Sequence, residues 1–291
     1  MAFESDYQAI ALATGIQLGT LVVGGKTVEV RPEWTFGNER NRFIYGRGTK
    51  ITTSYNYDEP ICRMSVDFCR IDGTFVKNVC SVLLKGSSPS ALKWLGIQFS
   101  KDELHIYTEG YTPISIGDVF GASDIKAILR CMLIELIPSK VFKWPTIENV
   151  CKTASGFKFT GHEILAKSTN RTCKNPTADI KDMIHPCVYA SPETLEANAD
   201  VKGTSWSVGV LGYSLAYGYP LEEDNEFAIA TALLDGPNPF ATVRKSGKKV
   251  PITDGSGLFG QFLSRCLVET EQRATLEELL AHPYMTVSEE A

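Results

Sequence analysis

The amino-acid sequence predicts an α+β fold in two lobes, a small β-rich one followed by a larger helical one. Three observations predict it. Over about the first 110 residues short apolar runs alternate with turn signals, and only one stretch carries a helical period. After Pro113 the apolar residues recur at helical spacing, and strands followed by helices are the mark of segregated α+β architecture. The third is size: 291 residues, 43% hydrophobic and 22% charged, are enough for one large domain or two lobes and exclude a disordered or collagen-like chain.

The elements follow in order. Ile16–Val23 and Thr27–Val30 flank Gly24-Gly25, the signature of a hairpin. Strands are expected at Phe43–Tyr45, Ile61–Phe68, Trp94–Phe99 and Leu104–Thr108, and one helix at Thr74–Lys85, where Phe75, Val76, Val79, Val82 and Leu83 keep close to the 3.6 period. In the helical part Ser123-Asp124 is expected to cap a helix over Ile125–Ile137 that Pro138 stops. Further helices are expected at Ser205–Tyr217, Glu223–Leu234, Gly257–Cys266 and Thr275–Ala281, the last opened by a capping box of Thr275 and Glu278. The change of composition near Glu109–Pro113 divides the chain into an extension with a hairpin (1–40), a small lobe (41–110) and a large lobe (111–291).

Charge and cysteine usage narrow the function. With 29 Lys+Arg against 34 Asp+Glu the net charge is −5, so the basic excess that sequence-independent nucleic-acid binding needs is missing and no nucleic-acid partner is expected. Eight cysteines (Cys62, Cys69, Cys80, Cys131, Cys151, Cys173, Cys187 and Cys266) lie scattered with no C-x-x-C pair, which reads as free thiols in a reducing, cytoplasmic compartment and no metal site. The run from Ala9 to Gly25 is interrupted by Thr14, Gln17, Thr20 and glycines and follows Glu4 and Asp6, so neither a signal peptide nor a membrane span is expected. Asn170-Arg171-Thr172 has the form of a glycosylation acceptor that this compartment would leave unused. The basic loop Arg244–Lys249 is either solvated or a contact for an acidic partner.

Three stretches of the second lobe, in order, resemble the C-lobe of eukaryotic protein kinases. Tyr189-Ala190-Ser191-Pro192-Glu193 looks like the A-P-E that closes an activation segment. Ser205-Trp206-Ser207-Val208-Gly209 looks like the W-S-x-G of the central buried helix, and Gln272-Arg273-Ala274-Thr275 through His282-Pro283-Tyr284 like the R-x-T…H-P-F ending of the domain. The tail is similar to the Nek-like Ser/Thr branch. This resemblance implies a two-lobed protein-kinase-like fold over roughly residues 40–285, and a buried Glu193–Arg273 pair clamping the activation segment to the last helices. Leu104–Tyr111 then looks like the last N-lobe strand and the hinge, with Thr108 at the gatekeeper position and Glu109 and Tyr111 offering backbone groups to a base. Ser168, Thr169, Thr172 and Thr177 fall in the activation-segment position.

The resemblance also says where chemistry should lie, since phosphoryl transfer needs a Gly-rich loop, a strand Lys paired to a helix Glu, a catalytic Asp, a metal-binding Asn and the Asp of D-F-G. Gly46 and Gly48 are either the remnant of the loop or an ordinary hairpin turn, with Ile51 in place of the third glycine. Met64 stands in the Lys slot, with Arg63 directed to the opposite face of the strand. Val79 stands in a helix without an acid, Trp144 in place of the base, and Gly161 in place of the D-F-G acid; Asn149 alone keeps a metal-ligand slot. Glu163 could serve a metal only if the register slipped by two, and Thr204 replaces the anchoring Asp before Trp206. The expectation is a pseudokinase, an inactive protein-interaction scaffold or allosteric module for a protein partner, without cofactor and with ATP and Mg²⁺ bound weakly or not at all. Met64, Phe142, Trp144 and Phe159 would fill the cleft. The alternatives are a nucleotide-binding switch using the hinge, Asn149 or Glu163, and an atypical active kinase.

Overall fold

The computed structural model describes residues 20–23, 26–29, 37–44, 49–56, 61–67, 88–99, 103–115, 118–139, 145–160, 189–191, 193, 201–217 and 257–287. The fold is mixed α+β, and the chain divides into two units: Met1–Thr112 with Cys151–Thr169, and Pro113–Val150 with Asn170–Ala291. The expected helices at Thr74–Lys85 and Glu223–Leu234, the serines and threonines at 168–177 and the basic loop at 244–249 lie outside the described residues.

In the first unit β1 (Thr20–Val23) and β2 (Lys26–Glu29) form the hairpin that Gly24-Gly25 announced, with Val23 opposite Lys26. A five-stranded antiparallel sheet contains β3 (Gly37–Ile44), β4 (Thr49–Asn56), β5 (Ile61–Asp67), β6 (Trp94–Phe99) and β7 (Glu103–Glu109), in the order β3-β4-β5-β7-β6. Two features depart from the expectation. β3 starts at Gly37, ahead of its apolar Phe43 and Ile44, with a register irregularity between Gly37 and Arg40. β4 was not foreseen, because Thr49–Asn56 has Ile51 and Tyr55 as its only large apolar residues; its place comes from pairing on both edges, Ile51 opposite Arg42 and Val66.

The pleat sorts the central strands into two faces. Cys62 and Met64 of β5 lie opposite Thr108 and Ile106 of β7, with Leu104, Ile97 and Trp94 on the same side, all buried. The other face is polar: Arg63 opposite Tyr107, and Ser65 opposite His105, which lies opposite Gln98. Within this layer Ser65 Oγ meets His105 Nδ1 at 3.0 Å and Tyr107 Oη donates to Gln98 Oε1 at 2.7 Å. Burial, seconded by the Arg63 charge, holds the His105 imidazole down at about 4, so it is neutral across the physiological range.

The chain passes from the first unit to the second at β8 (Thr112–Pro113). β9 (Val150–Thr153) and β10 (Gly156–Phe159) are paired across a tight turn in which Gly156 has φ +112° and the Thr153 hydroxyl bonds the Gly156 carbonyl at 2.9 Å. Phe159 joins the segment entering β6, giving its carbonyl to Leu92 N at 2.7 Å and its N–H to Ser90 O at 2.8 Å.

The second unit is built on α2 (Lys202–Tyr217), buried on all sides from Gly203 to Leu215. It is packed by α1 (Ala122–Leu136), α3 (Leu258–Cys266) and α4 (Leu276–Leu280), and α5 (Pro283–Thr286) closes on α1 and α3. α1 begins three residues before the expected Ile125: Gly121 is its N-cap, and Asp124, expected as a cap, sits at N3 and accepts from Gly121 N at 3.3 Å. Pro138 does not stop the chain abruptly, since Ile137–Ser139 continues as a 3-10 turn. α2 begins three residues before Ser205 because Lys202 anchors it, its ammonium bonding Thr270 O at 3.1 Å and Glu271 O at 3.3 Å. The capping box of α4 has both bonds, Thr275 N to Glu278 Oε2 at 2.9 Å and Glu278 N to Thr275 Oγ1 at 3.2 Å.

Gly209 lets α3 approach: a Cβ placed there would lie 2.4 Å from Cys266 Cβ. In an open helix Gly→Ala gains about 0.5–1 kcal/mol. Gly209→Ala should instead lose about 1–3 kcal/mol through overpacking, read as a lower urea midpoint; a gain in stability would mean that α2 and α3 are not closely packed.

Candidate functional site

In the first unit the strand expected to carry the Lys slot, β5, presents buried side chains at Cys62 and Met64. Met64 is fully buried between neighbouring strands, opposite Ile106, and Thr108 is equally buried one pair along, opposite Cys62. Cys62, Leu92, Tyr111 and Cys151 belong to one buried cluster. The Cys62 thiol points at the Tyr111 carbonyl (3.8 Å), and burial pushes its pKa up to about 12 against the weak help of that bond, so it is a neutral packing group. Cys131 and Cys266 of the second unit are likewise buried thiols raised by desolvation, and Cys151 here is a buried thiol that donates to Lys158 O at 3.5 Å.

The residues expected at a hinge, Thr108 and Glu109, are engaged within the unit. Glu109 Oε1 accepts from Lys93 N and from Lys158 Nζ, both at 2.8 Å, while Glu109 N donates to Lys93 O at 2.9 Å. Thr108 Oγ1 bonds the Glu109 carbonyl at 3.2 Å. A carboxylate with an ammonium on one oxygen and a backbone N–H on the same atom ties the end of β7 to the start of β6 and to β10. Sequence reasoning missed this pair, since nothing in the spacing of Glu109 and Lys158 marks them as neighbours.

In the second unit Asn149 ends a 3-10 turn (Ile147–Asn149) and is 3% exposed. Its Oδ1 accepts from Thr146 N at 2.7 Å and from Thr146 Oγ1 at 3.3 Å, which uses both lone pairs of the only atom with which it could ligate a metal. Among the described residues no three His, Cys, Asp or Glu side chains come together as a metal site requires. Gly46, Gly48, Val79, Phe142, Trp144, Gly161 and Glu163 lie outside the described residues.

Glu193 and Arg273, also of the second unit, are brought together. The guanidinium is paired to the carboxylate through both terminal nitrogens, Nη1 to Oε1 and Nη2 to Oε2, the latter at 3.2 Å. The remaining donors go to backbone: Nε and Nη2 to Val268 O at 3.1 and 2.9 Å, and Nη1 to Lys202 O at 3.2 Å. The Trp206 ring lies beneath at 5.0 Å. Tyr189, fully buried, gives its carbonyl to the Ser207 hydroxyl at 2.6 Å, so the segment before Glu193 is held to α2 as well. Burial alone would raise the Glu193 carboxyl; hydrogen bonds from Arg273, Ser191 and its own N–H, with the guanidinium charge, outweigh burial and lower it.

The chain matches no protein-family model and no curated protein. Among the described residues no helix is long and apolar enough to cross a membrane.

Breaking one side of a buried pair costs about 3–5 kcal/mol. Arg273→Ala should reach the upper part of that range, because it also unbinds the Val268 and Lys202 carbonyls, and Glu193→Ala the lower; the double variant should cost less than the sum. Additive losses in denaturant titrations would show that the pair is not coupled. With its folded pKa depressed, Glu193 contributes fully above the ordinary carboxyl value of 4.5 and loses that contribution as pH falls through the folded value. Glu193→Gln should therefore flatten the acid limb of the stability curve.

Proposed function

We propose that this chain is a catalytically inactive, protein-kinase-like domain that works as a scaffold or allosteric module for a protein partner. The observation that carries the reading is the full burial of Met64, the residue that the resemblance to kinases puts in the slot of the phosphate-binding lysine. A thioether in a sealed apolar layer offers no charge to a phosphate and no room for one. The rest of the support is of the same kind. The strand that resembles the last of a kinase N-lobe is the last, in chain order, of the five-stranded sheet and ends at Glu109. The Glu109 carboxylate and the Asn149 amide oxygen are spent on protein partners, whereas the purely architectural Glu193–Arg273 pair is complete. Loss at the chemical positions with retention at the structural ones is the pattern of a pseudokinase in a cytoplasmic setting.

The test is a thermal-shift titration with ATP, with and without Mg²⁺, beside a radiolabel transfer assay on generic protein substrates. Neither a shift nor transfer is expected. A rise of several degrees that requires Mg²⁺ would establish a nucleotide switch, and transfer abolished by Glu163→Gln or Asn149→Ala an active kinase; either overturns the reading.

Met64→Lys separates a sealed layer from an open cleft. Burying an unpaired ammonium among Cys62, Ile106 and Thr108 should lower stability at pH 7 by several kcal/mol, on the order of the cost of any unpaired buried charge. Unchanged stability would mean that the side chain reaches solvent.

A further inference from the structure

The second unit ends in a clasp that the scaffold reading leaves unused. α5 is a single turn, and the side chain of His282 caps it, Nδ1 accepting from the Tyr284 backbone N–H at 3.1 Å. Pro283 stands at the first helical position, where its missing N–H costs nothing, and the His282 carbonyl accepts from Met285 N at 2.8 Å. The far end of the turn is bound by α1: Arg130 Nη1 donates to Met285 O at 3.0 Å, and Lys126 Nζ donates to Val287 O. Within the clasp Tyr284 and Met285 are buried, and Tyr284 packs against Phe259 and Phe262 with ring centroids 5.0 and 5.5 Å apart. The His282 and Phe262 rings meet in a T-shaped contact, centroids 5.7 Å apart.

An imidazole nitrogen accepts a hydrogen bond only while it carries no proton. With Nδ1 accepting from Tyr284, the neutral ring keeps its proton on Nε2; a second proton would set an N–H against the N–H it now receives. We propose that His282 is a pH latch, holding α5 against α1 and α3 when neutral and releasing the turn, with Tyr284 and Met285, when protonated. The charges around the clasp suit such a device. Among the described residues α3 brings Arg265 and α1 brings Lys126, 6.0 Å over the Tyr284 ring, and Arg130. α4 brings the exposed Glu277 and Glu278, of which Glu278 stands 3.8 Å from Arg265 and also closes its own capping box. A proton on His282 therefore meets the Arg265 charge, and Glu278, the acid beside Arg265, is already engaged.

Burial first, and the Arg265 charge second, hold the imidazole below its ordinary value of 6.5. For a histidine so depressed the cap is fully made above 6.5 and is lost as pH falls through the folded value. The operating window therefore lies below 6.5.

The test is amide hydrogen exchange of the full chain at pH 7.5 and 5.0, expressed as protection factors so that the intrinsic pH dependence cancels. Protection at Tyr284, Met285 and Thr286 in the wild type should fall about three- to thirtyfold on acidification, the effect of losing one helix cap. His282→Asn, which supplies a non-titrating acceptor, should keep protection at both pH values, and His282→Ala should lack it at both. Equal wild-type protection at the two pH values overturns the latch, as does an equal loss in His282→Asn. The His282 ring nitrogen shifts give a second readout: the neutral ring must carry its proton on Nε2, and the opposite tautomer would also overturn it.

Discussion

The second unit depends on one buried cation. A guanidinium cannot shed its charge, so Arg273, 2% exposed, is tolerable in the interior only if its donors are answered and its charge is met. That demand gathers three pieces of chain: Glu193 from the segment after Tyr189, α2 with the Lys202 carbonyl at its start and the Trp206 ring, and the Val268 carbonyl from the loop after α3. Lys202 repeats the pattern in reverse, its ammonium on the Thr270 and Glu271 carbonyls. The loop from Val268 to Arg273, which no strand or helix stabilises, is thereby fixed to α2 by charge-assisted bonds.

Close packing completes what the charge begins. α2 is buried over its whole circumference, which a helix achieves only when its neighbours come in on every side. Gly209 and Gly212 make room for this, facing Cys266 and Leu267 in one case and Leu129 and Leu263 in the other. Ser205 and Ser214 are fully buried in the same helix, so small side chains, rather than a uniform apolar stripe, set the distances.

In the first unit the sheet assigns roles by parity. Alternate residues of β5 and β7 face a dry layer of Cys62, Met64, Ile106 and Thr108, or a polar layer of Arg63, Ser65, His105 and Tyr107, in which Ser65 is bonded to His105. Position 64 falls in the dry layer, and a lysine there would need an acid beside it. With methionine the layer closes by packing alone. The Glu109–Lys158 pair shows the complementary case, a charge at the edge of the layer kept partly exposed and bound to a partner.

What the sequence by itself determined was whatever rests on local chemistry. The α+β class, the hairpin around Gly24-Gly25, the apolar strands β5, β6 and β7, the body of α1 and the capping box of α4 were legible because each is written in neighbouring residues. So was the meeting of Glu193 with Arg273, though only through motif order. The rest was decided by tertiary structure. β4 is polar and becomes a strand because two neighbours supply its hydrogen bonds; α2 starts at Lys202 because distant carbonyls receive its ammonium; and Asn149 spends its oxygen on Thr146 because a 3-10 turn folds back on it. A backbone or side-chain bond to a residue far along the chain leaves no periodicity, so pairing, capping and occupancy of this kind become visible only once the chain has folded.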